Sequence, residues 1–227
     1  MIDLVRWRLE RRRRGLRRRA TGPAMAAYLA TPIADLSLPV VEAELVSVDL
    51  ETTGLDARDD QILSLGAVTV RHGRVDLATA RYGVVCPDRP VDLASPTIHG
   101  IGHDAAARGR PLDEVLSSFL EQLAGRVLLA HGAEVEIGFL SAAARRLYGV
   151  PLVCPVVDTA VVEMRRRRRR GAADDAGGLR LTALRDAYHL PRYKAHHALS
   201  DALATAELFL AQSAHCGPAE PLKTFLR

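Results

Sequence analysis

The stretch from Leu45 to Gly54, LVSVDLETTG, decides the fold predicted for this chain. A short run of apolar and β-branched residues ends in two carboxylates and then Thr-Thr-Gly, which predicts a buried strand that breaks into a turn. Side chains alternate along a strand, so Ser47, Asp49 and Glu51 share one face. Burying two like charges together is costly, and a divalent cation between them would offset that cost. The alternative is a strand end whose two acids face water.

The composition indicates a soluble protein with one main folded domain. The chain has 227 residues, of which 48% are hydrophobic, and this is enough for a packed core. No apolar run approaches the roughly 20 residues of a membrane helix, and the N-terminus lacks the apolar centre of a secretory signal. Three widely spaced cysteines argue against a disulfide framework or a cysteine zinc site. We therefore expect a cytoplasmic protein that does not bind membranes.

The chain contains two arginine-rich segments, and the rest of it is acidic. Residues 1–19 hold nine Arg against two acids, and residues 165–170 are six consecutive Arg. Such segments often contact the phosphate backbone of nucleic acids. A GC-rich coding sequence would also favour Arg, since Lys194 and Lys223 are the only lysines. Solvated, flexible segments are therefore the alternative.

The chain divides into three predicted parts. Residues 1–43 form an Arg-rich N-terminal arm and linker, with a basic amphipathic helix over 1–20 and a short helix near 24–30. Residues 44–213 form the folded domain, and residues 214–227 form a short tail. The N-terminal arm has three possible contacts: the domain itself, nucleic acid, or a polymerase or repair partner.

Within the folded domain, three antiparallel strands precede alternating helices and strands. After the first strand, further strands are predicted at 61–71, 74–86, 127–131 and 152–157, and helices at 111–124, 134–148, 159–168, 181–188 and 198–212. An exposed loop is predicted over 165–178. This order indicates an α/β fold with a mixed five-stranded sheet flanked by helices.

Other acids and a histidine fall where they could join Asp49 and Glu51. Glu136 lies one turn into the helix after the fourth strand, Asp201 lies in the first turn of the last long helix, and His196 precedes that helix. A strand end and two helix N-termini could bring these five residues to one site. Oxygen ligands of this kind suit Mg²⁺ or Mn²⁺ rather than zinc.

Three stretches resemble the exonuclease motifs of the DEDDh, or DnaQ-like, 3′-5′ exonucleases, a family that includes the proofreading (epsilon) subunit of bacterial DNA polymerase III. They are VDLETTGL at 48–55, HGAEVEIGFL at 131–140 and HHALSDA at 196–202, in the order that the family has. The last motif pairs a His with an Asp five residues later. The resemblance implies a ribonuclease H-like fold and hydrolysis of phosphodiester bonds from 3′ ends.

The resemblance also implies a role for each of the five site residues. Asp49, Glu51, Glu136 and Asp201 would bind two Mg²⁺ or Mn²⁺ ions. His196 would be the general base, since histidine is suited to accept a proton from water near neutral pH. The two ions would activate the attacking water and stabilise the leaving 3′ oxygen.

Thr52, Thr53 and His99 match positions that hold the terminal nucleotide in relatives. The second motif departs from the family at two positions, because Gly132 replaces an Asn and Glu136 replaces an Asp. Glutamate keeps the charge and reaches one methylene further, whereas glycine removes a side-chain amide. Outside this set, Asp158 is predicted to cap the helix that follows it.

These features together predict a metal-dependent 3′-5′ exonuclease. Its substrate would be the 3′ end of single-stranded or frayed DNA, its product a nucleoside 5′-monophosphate, and its context proofreading or repair. Trimming of RNA or short oligoribonucleotides is the alternative within the same class. A catalytically weakened module that binds nucleic acid is the alternative outside it.

Overall fold

A mixed sheet forms the centre of the chain, for which a computed structural model describes residues 3–89, 103–171 and 177–227. Its five strands are β1 (Leu45–Thr52), β2 (Ile62–Arg71), β3 (Arg74–Val84), β4 (Val127–Ala130) and β5 (Val156–Asp158). They lie in the order β3-β2-β1-β4-β5. The first three pair antiparallel, and β4 lies parallel between β1 and β5. The predicted mixed five-stranded sheet is confirmed.

Helices cover both faces of this sheet. They are α1 (Leu4–Arg17), α2 (Pro23–Ala30), α3 (His103–Ala107), α4 (Leu112–Leu123), α5 (Glu134–Tyr148), α6 (Thr159–Arg169), α7 (Leu181–Ala187) and α8 (Ala198–Ala214). Short 3₁₀ turns lie at Gly177–Leu179 and Leu222–Phe225. Over the described ranges, no helix combines the length and the apolar character that crossing a membrane requires.

Strand β1 separates two hydrophobic cores because its side chains alternate. Val46 and Val48 pack in the core formed with α2, α4 and α5. Leu45, on the opposite face, belongs to the core that contains Phe209 of α8. Ser47 is fully buried on the α8 side. The predicted alternation of β1 is therefore confirmed, and it directs the acids of this strand toward α8.

The hairpin between β2 and β3 turns at His72 and Gly73, as the sequence predicts. Both residues have positive φ, 51° and 65°, which is the backbone of a tight two-residue turn between twisted antiparallel strands. The hairpin places β3 at the edge of the sheet and leaves β2 covered on both faces.

Residues before 44 and after 213 contribute to the same two cores. Met25 and Tyr28 of α2 are buried in the first core, and Leu36 and Phe225 are buried in the second. The N-terminal arm therefore packs on the sheet, one of the three arrangements expected for it. The boundaries at 43 and 213 stay a prediction.

The sequence predicts a helix over 159–168 and an exposed loop over 165–178, and in the overlap of the two predictions the helix is confirmed and the loop is wrong, because α6 extends to Arg169. Arginine is a good helix former, and several of these side chains have partners in α6 or at the C-terminal segment. Arg166 and Arg167 form ion pairs of 3.1 and 3.3 Å with the buried Glu163, and Arg165 donates to the Leu226 carbonyl at 2.6 Å. Strand β5 is also shorter than predicted and begins at Val156.

Candidate active site

Three carboxylates converge where β1 meets α8. One oxygen each from Asp49, Glu51 and Asp201 can be chosen so that all three lie within 4.8 Å of one another. The first two side chains share a face of β1 with Ser47, whose hydroxyl donates to the Ala202 carbonyl in α8 at 2.7 Å. The alternation of β1 and the docking of α8 on that face therefore create the cluster.

Gly66 of β2 allows α8 to lie this close to the sheet. It pairs with Asp49 in the antiparallel register. A Cβ atom at Gly66 would lie 2.2 Å from the backbone nitrogen of Leu199, in the first turn of α8. Any side chain here would push the helix, and Asp201 with it, away from Asp49. Gly66 is not among the residues predicted from the sequence, although an isolated glycine inside a strand is a known signal of close backbone approach.

His196 lies in the last turn of chain before α8. Its backbone N–H donates to Oδ2 of Asp201 at 2.8 Å, and its φ of 64° is left-handed. Histidine is among the non-glycine residues that adopt this conformation more readily. Its side chain is exposed, whereas the ring of the next residue, His197, stacks on Tyr82 with centroids 4.5 Å apart. The structure thus joins His196 to Asp201 through the backbone, and its role as a base stays a prediction.

Glu136 lies buried in the first turn of α5, only 6% exposed. Its Oε2 has no hydrogen-bond partner among the described residues. It does not join the cluster of three carboxylates that lie within 4.8 Å of one another. It is nevertheless close enough to raise the pKa of Asp49 through charge repulsion. An unpartnered buried carboxylate oxygen beside three other acids is a position that a cation would satisfy.

Asp158 organises the loop that precedes Glu136. Its Oδ1 accepts from the N–H of Ala160 at 3.0 Å, which confirms the predicted helix cap. The same carboxylate also accepts from the N–H groups of Gly132 and Ala133, at 3.0 and 2.9 Å. It therefore fixes the entry into α5 as well as into α6, a role that sequence reasoning did not anticipate.

The departure at Gly132 has a backbone explanation. Its φ is +69°, in the left-handed region. Glycine and asparagine are the residues that adopt this conformation most easily, so the Asn of the family and the Gly of this chain suit the same turn. A Cβ atom at Gly132 would meet nothing within 4 Å. The substitution therefore leaves open space and does not require a different path of the chain.

Burial and mutual repulsion raise the pKa values of three acids in the site. The pKa of Asp49 lies well above its ordinary value, mainly because of burial and then because of Glu136, Asp201 and Glu51. Burial raises the pKa of Glu51 to about 7, with a further contribution from Asp201. Burial also raises the pKa of Glu136 to about 7, with a further contribution from Asp158. Such a site holds protons near neutral pH unless a cation replaces them, so its residues fit a divalent metal.

The residues predicted to hold the terminal nucleotide shape the turn after β1. The hydroxyl of Thr52 donates to the Gly54 carbonyl at 2.6 Å, and that of Thr53 donates to Oδ1 of Asp60 at 2.9 Å. His99 lies outside the described residues. Contact between these side chains and substrate stays a prediction.

Comparison with known proteins identifies the family. A sequence model of the family described as Exonuclease matches residues 46–209. The chain belongs to this exonuclease family. It is 33% identical over 169 residues to the DNA polymerase III subunit epsilon of Treponema pallidum, covering 74% of this chain and 75% of that protein. It is 29% identical over 167 residues to the PolC-type DNA polymerase III of Thermotoga petrophila, covering 71% of this chain and 11% of that protein. The chain thus spans about a tenth of the PolC-type relative's length.

Solved structures agree with this assignment. The nuclease domain of 3′hExo, described as a DEDDh family member bound to rAMP, superposes with a TM-score of 0.65 at 15% identity, covering 80% of this chain and 96% of that one. The predicted ribonuclease H-like fold and the predicted membership of the DEDDh 3′-5′ exonucleases are confirmed. The prediction that the chain is an enzyme of this class is confirmed with them.

Proposed function

We propose that this exonuclease removes nucleotides from the 3′ ends of single-stranded or frayed DNA and releases nucleoside 5′-monophosphates. The convergence of Asp49, Glu51 and Asp201 within 4.8 Å carries the proposal. DNA is favoured because the relatives described above are named as a DNA polymerase III subunit and a DNA polymerase III. RNA is the competing substrate, since the similar nuclease domain of 3′hExo is described as bound to rAMP. Proofreading or repair is the context that we propose.

Two Mg²⁺ or Mn²⁺ ions fit the donor set of the site. Asp49, Glu51 and Asp201 would hold them, with Glu136 supplying the fourth carboxylate. When bound, such ions activate the attacking water and stabilise the leaving 3′ oxygen in an in-line displacement. The oxygen-only donors favour these hard cations over zinc.

The chain itself supplies the proton acceptor and the fixed geometry. His196 would accept the proton of the attacking water, as a histidine near neutral pH can. Its backbone bond to Asp201 ties the loop carrying this base to one of the ligands. Asp158 holds the entry to α5 and therefore the backbone of the turn that bears Glu136. These bonds are in place before substrate arrives, so positioning the groups requires little reorganisation during the reaction.

A gel assay on labelled DNA tests the proposal. The purified 227-residue chain is incubated with a single-stranded oligonucleotide in Mg²⁺, Mn²⁺ or chelator, beside an RNA of the same sequence. We expect digestion from the 3′ end that needs the cation, and a loss of about 10³-fold or more in Asp49→Ala and His196→Ala. Glu121→Ala, which removes an exposed acid from α4, is the matched control.

The outcomes separate the alternatives. Unchanged digestion by Asp49→Ala would overturn the assignment of the site. Faster cleavage of RNA than of DNA would identify RNA as the preferred substrate. Binding of 3′ ends without turnover, even in Mn²⁺, would favour the non-catalytic binding module.

A further inference from the structure

Helix α1 is fixed to the body of the protein through a buried arginine. Arg13 is 2% exposed, and its guanidinium donates to the carbonyls of Val153 at 2.8 Å, Thr31 at 3.0 Å and Tyr28. It also lies 4.3 Å from the centroid of the Tyr28 ring. Leu16 packs against the first core. A helix held by this many contacts presents its opposite side in a defined orientation.

That opposite side is a strongly basic groove with one aromatic residue. Its volume is about 570 Å³, and we call it the basic groove of α1; its lining includes Trp7, Arg8, Arg11, Arg12, Gly15 and Arg19. All six of these residues are exposed, and the guanidinium of Arg11 lies 5.6 Å from the Trp7 ring. Among the described residues, no hydrogen bond or ion pair joins the side chains of Arg8, Arg12 or Arg19 to another group.

Two features of the basic groove are unfavourable for the helix alone. Arg8 lies three and four residues from Arg11 and Arg12, and like charges at these spacings destabilise a helix. Gly15 lies inside α1, where glycine is less favourable than alanine, yet a Cβ atom there would meet nothing within 4 Å. Packing therefore does not account for this glycine. Because glycine has no side chain, the surface between the flanking arginines is open at this position.

A polyanion with flat bases would offset both costs. We infer that the basic groove of α1 binds the phosphodiester backbone of single-stranded nucleic acid, with Trp7 stacking on a base. Arginine side chains around an exposed aromatic ring are the usual elements of such a surface. A membrane surface fits less well, because the apolar side of a membrane helix must be free to enter the lipid. Here Leu9 and Leu16 pack against the two cores, and the exposed apolar residues of α1 are confined to its first turn: Leu4, Val5 and Trp7.

The C-terminal end of the basic groove lies far from Glu136. Thr21, just after α1, donates to the carbonyl of Tyr148 at the last residue of α5, whereas Glu136 lies in the first turn of that helix. The 15 residues of α5 span about 20 Å. The groove therefore holds nucleotides several positions before the 3′ end. Given the proposed function, it tethers long substrates and raises their effective concentration at the site.

Trp7 is the only tryptophan in the chain, so intrinsic fluorescence reports directly on this surface. The 227-residue chain is titrated in chelator, without hydrolysis, with a single-stranded DNA of about 30 nucleotides. We expect quenching of Trp7 on binding. The double variant Arg8→Ala/Arg12→Ala should bind about tenfold more weakly, with a salt slope smaller by about 1.4, since each phosphate that an arginine no longer neutralises lowers the slope by ~0.7.

The matched control is Arg74→Ala/Arg108→Ala, which removes two exposed arginines elsewhere and should bind as the wild type does. Quenching that is absent, or affinity that is equal in the two double variants, would overturn the inference. A blue shift with anionic phospholipid vesicles and no response to DNA would overturn it in favour of a membrane surface. Tighter binding of blunt duplex without quenching would overturn the single-stranded assignment.

Activity separates this inference from the proposed function. With Mg²⁺, Arg8→Ala/Arg12→Ala should raise KM about tenfold for the long oligonucleotide and leave kcat/KM for a trinucleotide unchanged. A protein that quenches with DNA yet cleaves neither substrate would support the basic groove and contradict the proposed function. Equal losses on the long and short substrates would contradict the groove while leaving the exonuclease assignment intact.

Discussion

Glu136 carries one methylene more than the Asp found at this position in the DEDDh family. Its carboxylate is buried, and one oxygen lacks a partner among the described residues, which suits a ligand directed at a cation. We expect Glu136→Gln to lower kcat/KM by about 100-fold, because a neutral amide cannot replace the charge. Glu136→Asp should stay within about tenfold of the wild type. Digestion of labelled DNA in Mg²⁺ measures both.

Glu134→Gln is the control for Glu136. It makes the same change in the same turn of α5, but at a side chain that is 89% exposed. It should leave activity unchanged. Wild-type activity in Glu136→Gln would mean that the fourth carboxylate takes no part in the reaction.

The raised pKa values of the acids make the stability of the metal-free protein depend on pH. In the unfolded chain Glu51 and Glu136 titrate near their ordinary value of 4.5, whereas in the folded protein they titrate at about 7. The folded state binds more protons between these values, so the free energy of unfolding falls as pH rises from about 4.5 through about 7. The stabilisation from protonation is present below the lower value and is lost above the upper one.

Chemical denaturation in chelator at either end of this window tests that dependence. Glu136→Gln should show a smaller loss of stability with rising pH and should be more stable than the wild type on the alkaline side. Added Mg²⁺ should restore more stability to the wild type on the alkaline side than on the acidic side, because protons no longer compete for the carboxylates. Parallel pH curves for the two proteins would show that Glu136 ionises freely when folded.

At the scale of residues, local pattern predicts which acids are candidates but not how each is held. The alternation of β1 is enough to place Asp49 beside Glu51, and helical position is enough to suggest Asp201. The second role of Asp158 depends on contacts with residues 25 and 26 positions away. No local pattern encodes these contacts.

At the scale of elements, the docking of α8 on β2 sets the geometry of the site. A Cβ atom at Gly66 would overlap the backbone of Leu199, so Gly66→Ala must displace the first turn of α8. We expect a destabilisation of about 1–3 kcal/mol and loss of most activity, measured by denaturant titration and by DNA digestion. Gly138→Ala is the control, because a Cβ there would meet Ala57 at an ordinary 3.8 Å. Full activity in Gly66→Ala would show that the site tolerates a shift of α8.

The segment between α7 and α8 is held by a buried arginine. Arg185 donates to the carbonyls of Pro191 and Ala204, both at 2.6 Å, and to Glu207 at 2.8 Å. The hydroxyl of Tyr193 donates to the same glutamate at 2.7 Å. These bonds fix the chain that leads into the turn carrying the predicted base. Arg185 is therefore a positioning residue for that turn.

Removal of Arg185 should affect turnover more than substrate binding. We expect Arg185→Ala to lower kcat about tenfold or more with KM little changed, and to lower stability by about 1–3 kcal/mol. Arg185→Lys should recover part of kcat. Steady-state kinetics well below the melting temperature of each variant separate misplacement from unfolding. A variant destabilised by this amount but with wild-type kcat would mean that Arg185 serves the fold alone.

The spacing of apolar residues predicts most of the helices and strands, because each of these elements is formed by residues that are close together in the sequence. Helix α5 and the β2-β3 hairpin lie where the spacing of apolar residues and the turn residues place them. The helix predicted over 159–168 and the loop predicted over 165–178 overlap, and the structure continues the helix through this run of arginines, which begins at Arg165. Its helical conformation is stabilised in part by the buried Glu163, which is within α6, and in part by the Leu226 carbonyl, 61 residues away. Only the first of these partners could be found locally.

At the scale of the whole molecule, the N-terminal segment and the C-terminal segment of the chain pair with each other over the second core. The N–H groups of Leu222 and Lys223 donate to the carbonyls of Leu38 and Leu36, both at 2.9 Å. Arg13 reaches the Val153 carbonyl across 140 residues of sequence. Composition identified residues 1–43 as a distinct segment. It could not show that this segment is built into the body, because such pairings arise only in the folded chain.

Deletion of residues 1–43 should therefore prevent stable folding. The deletion removes large buried side chains from both cores: Met25, Tyr28, Leu29, Ile33 and Leu36. Each contributes about 1.5–3 kcal/mol by burial, and the sum is comparable to the whole stability of a domain, about 5–15 kcal/mol. Circular dichroism melts of residues 44–227 beside the full chain measure the effect. Deletion of residues 1–5 takes the exposed Leu4 and Val5 and the N-cap Asp3 from α1, and it should lower the melting temperature by only a few degrees. A cooperative melt of residues 44–227 at the melting temperature of the 227-residue chain would instead show that the N-terminal segment is an independent arm.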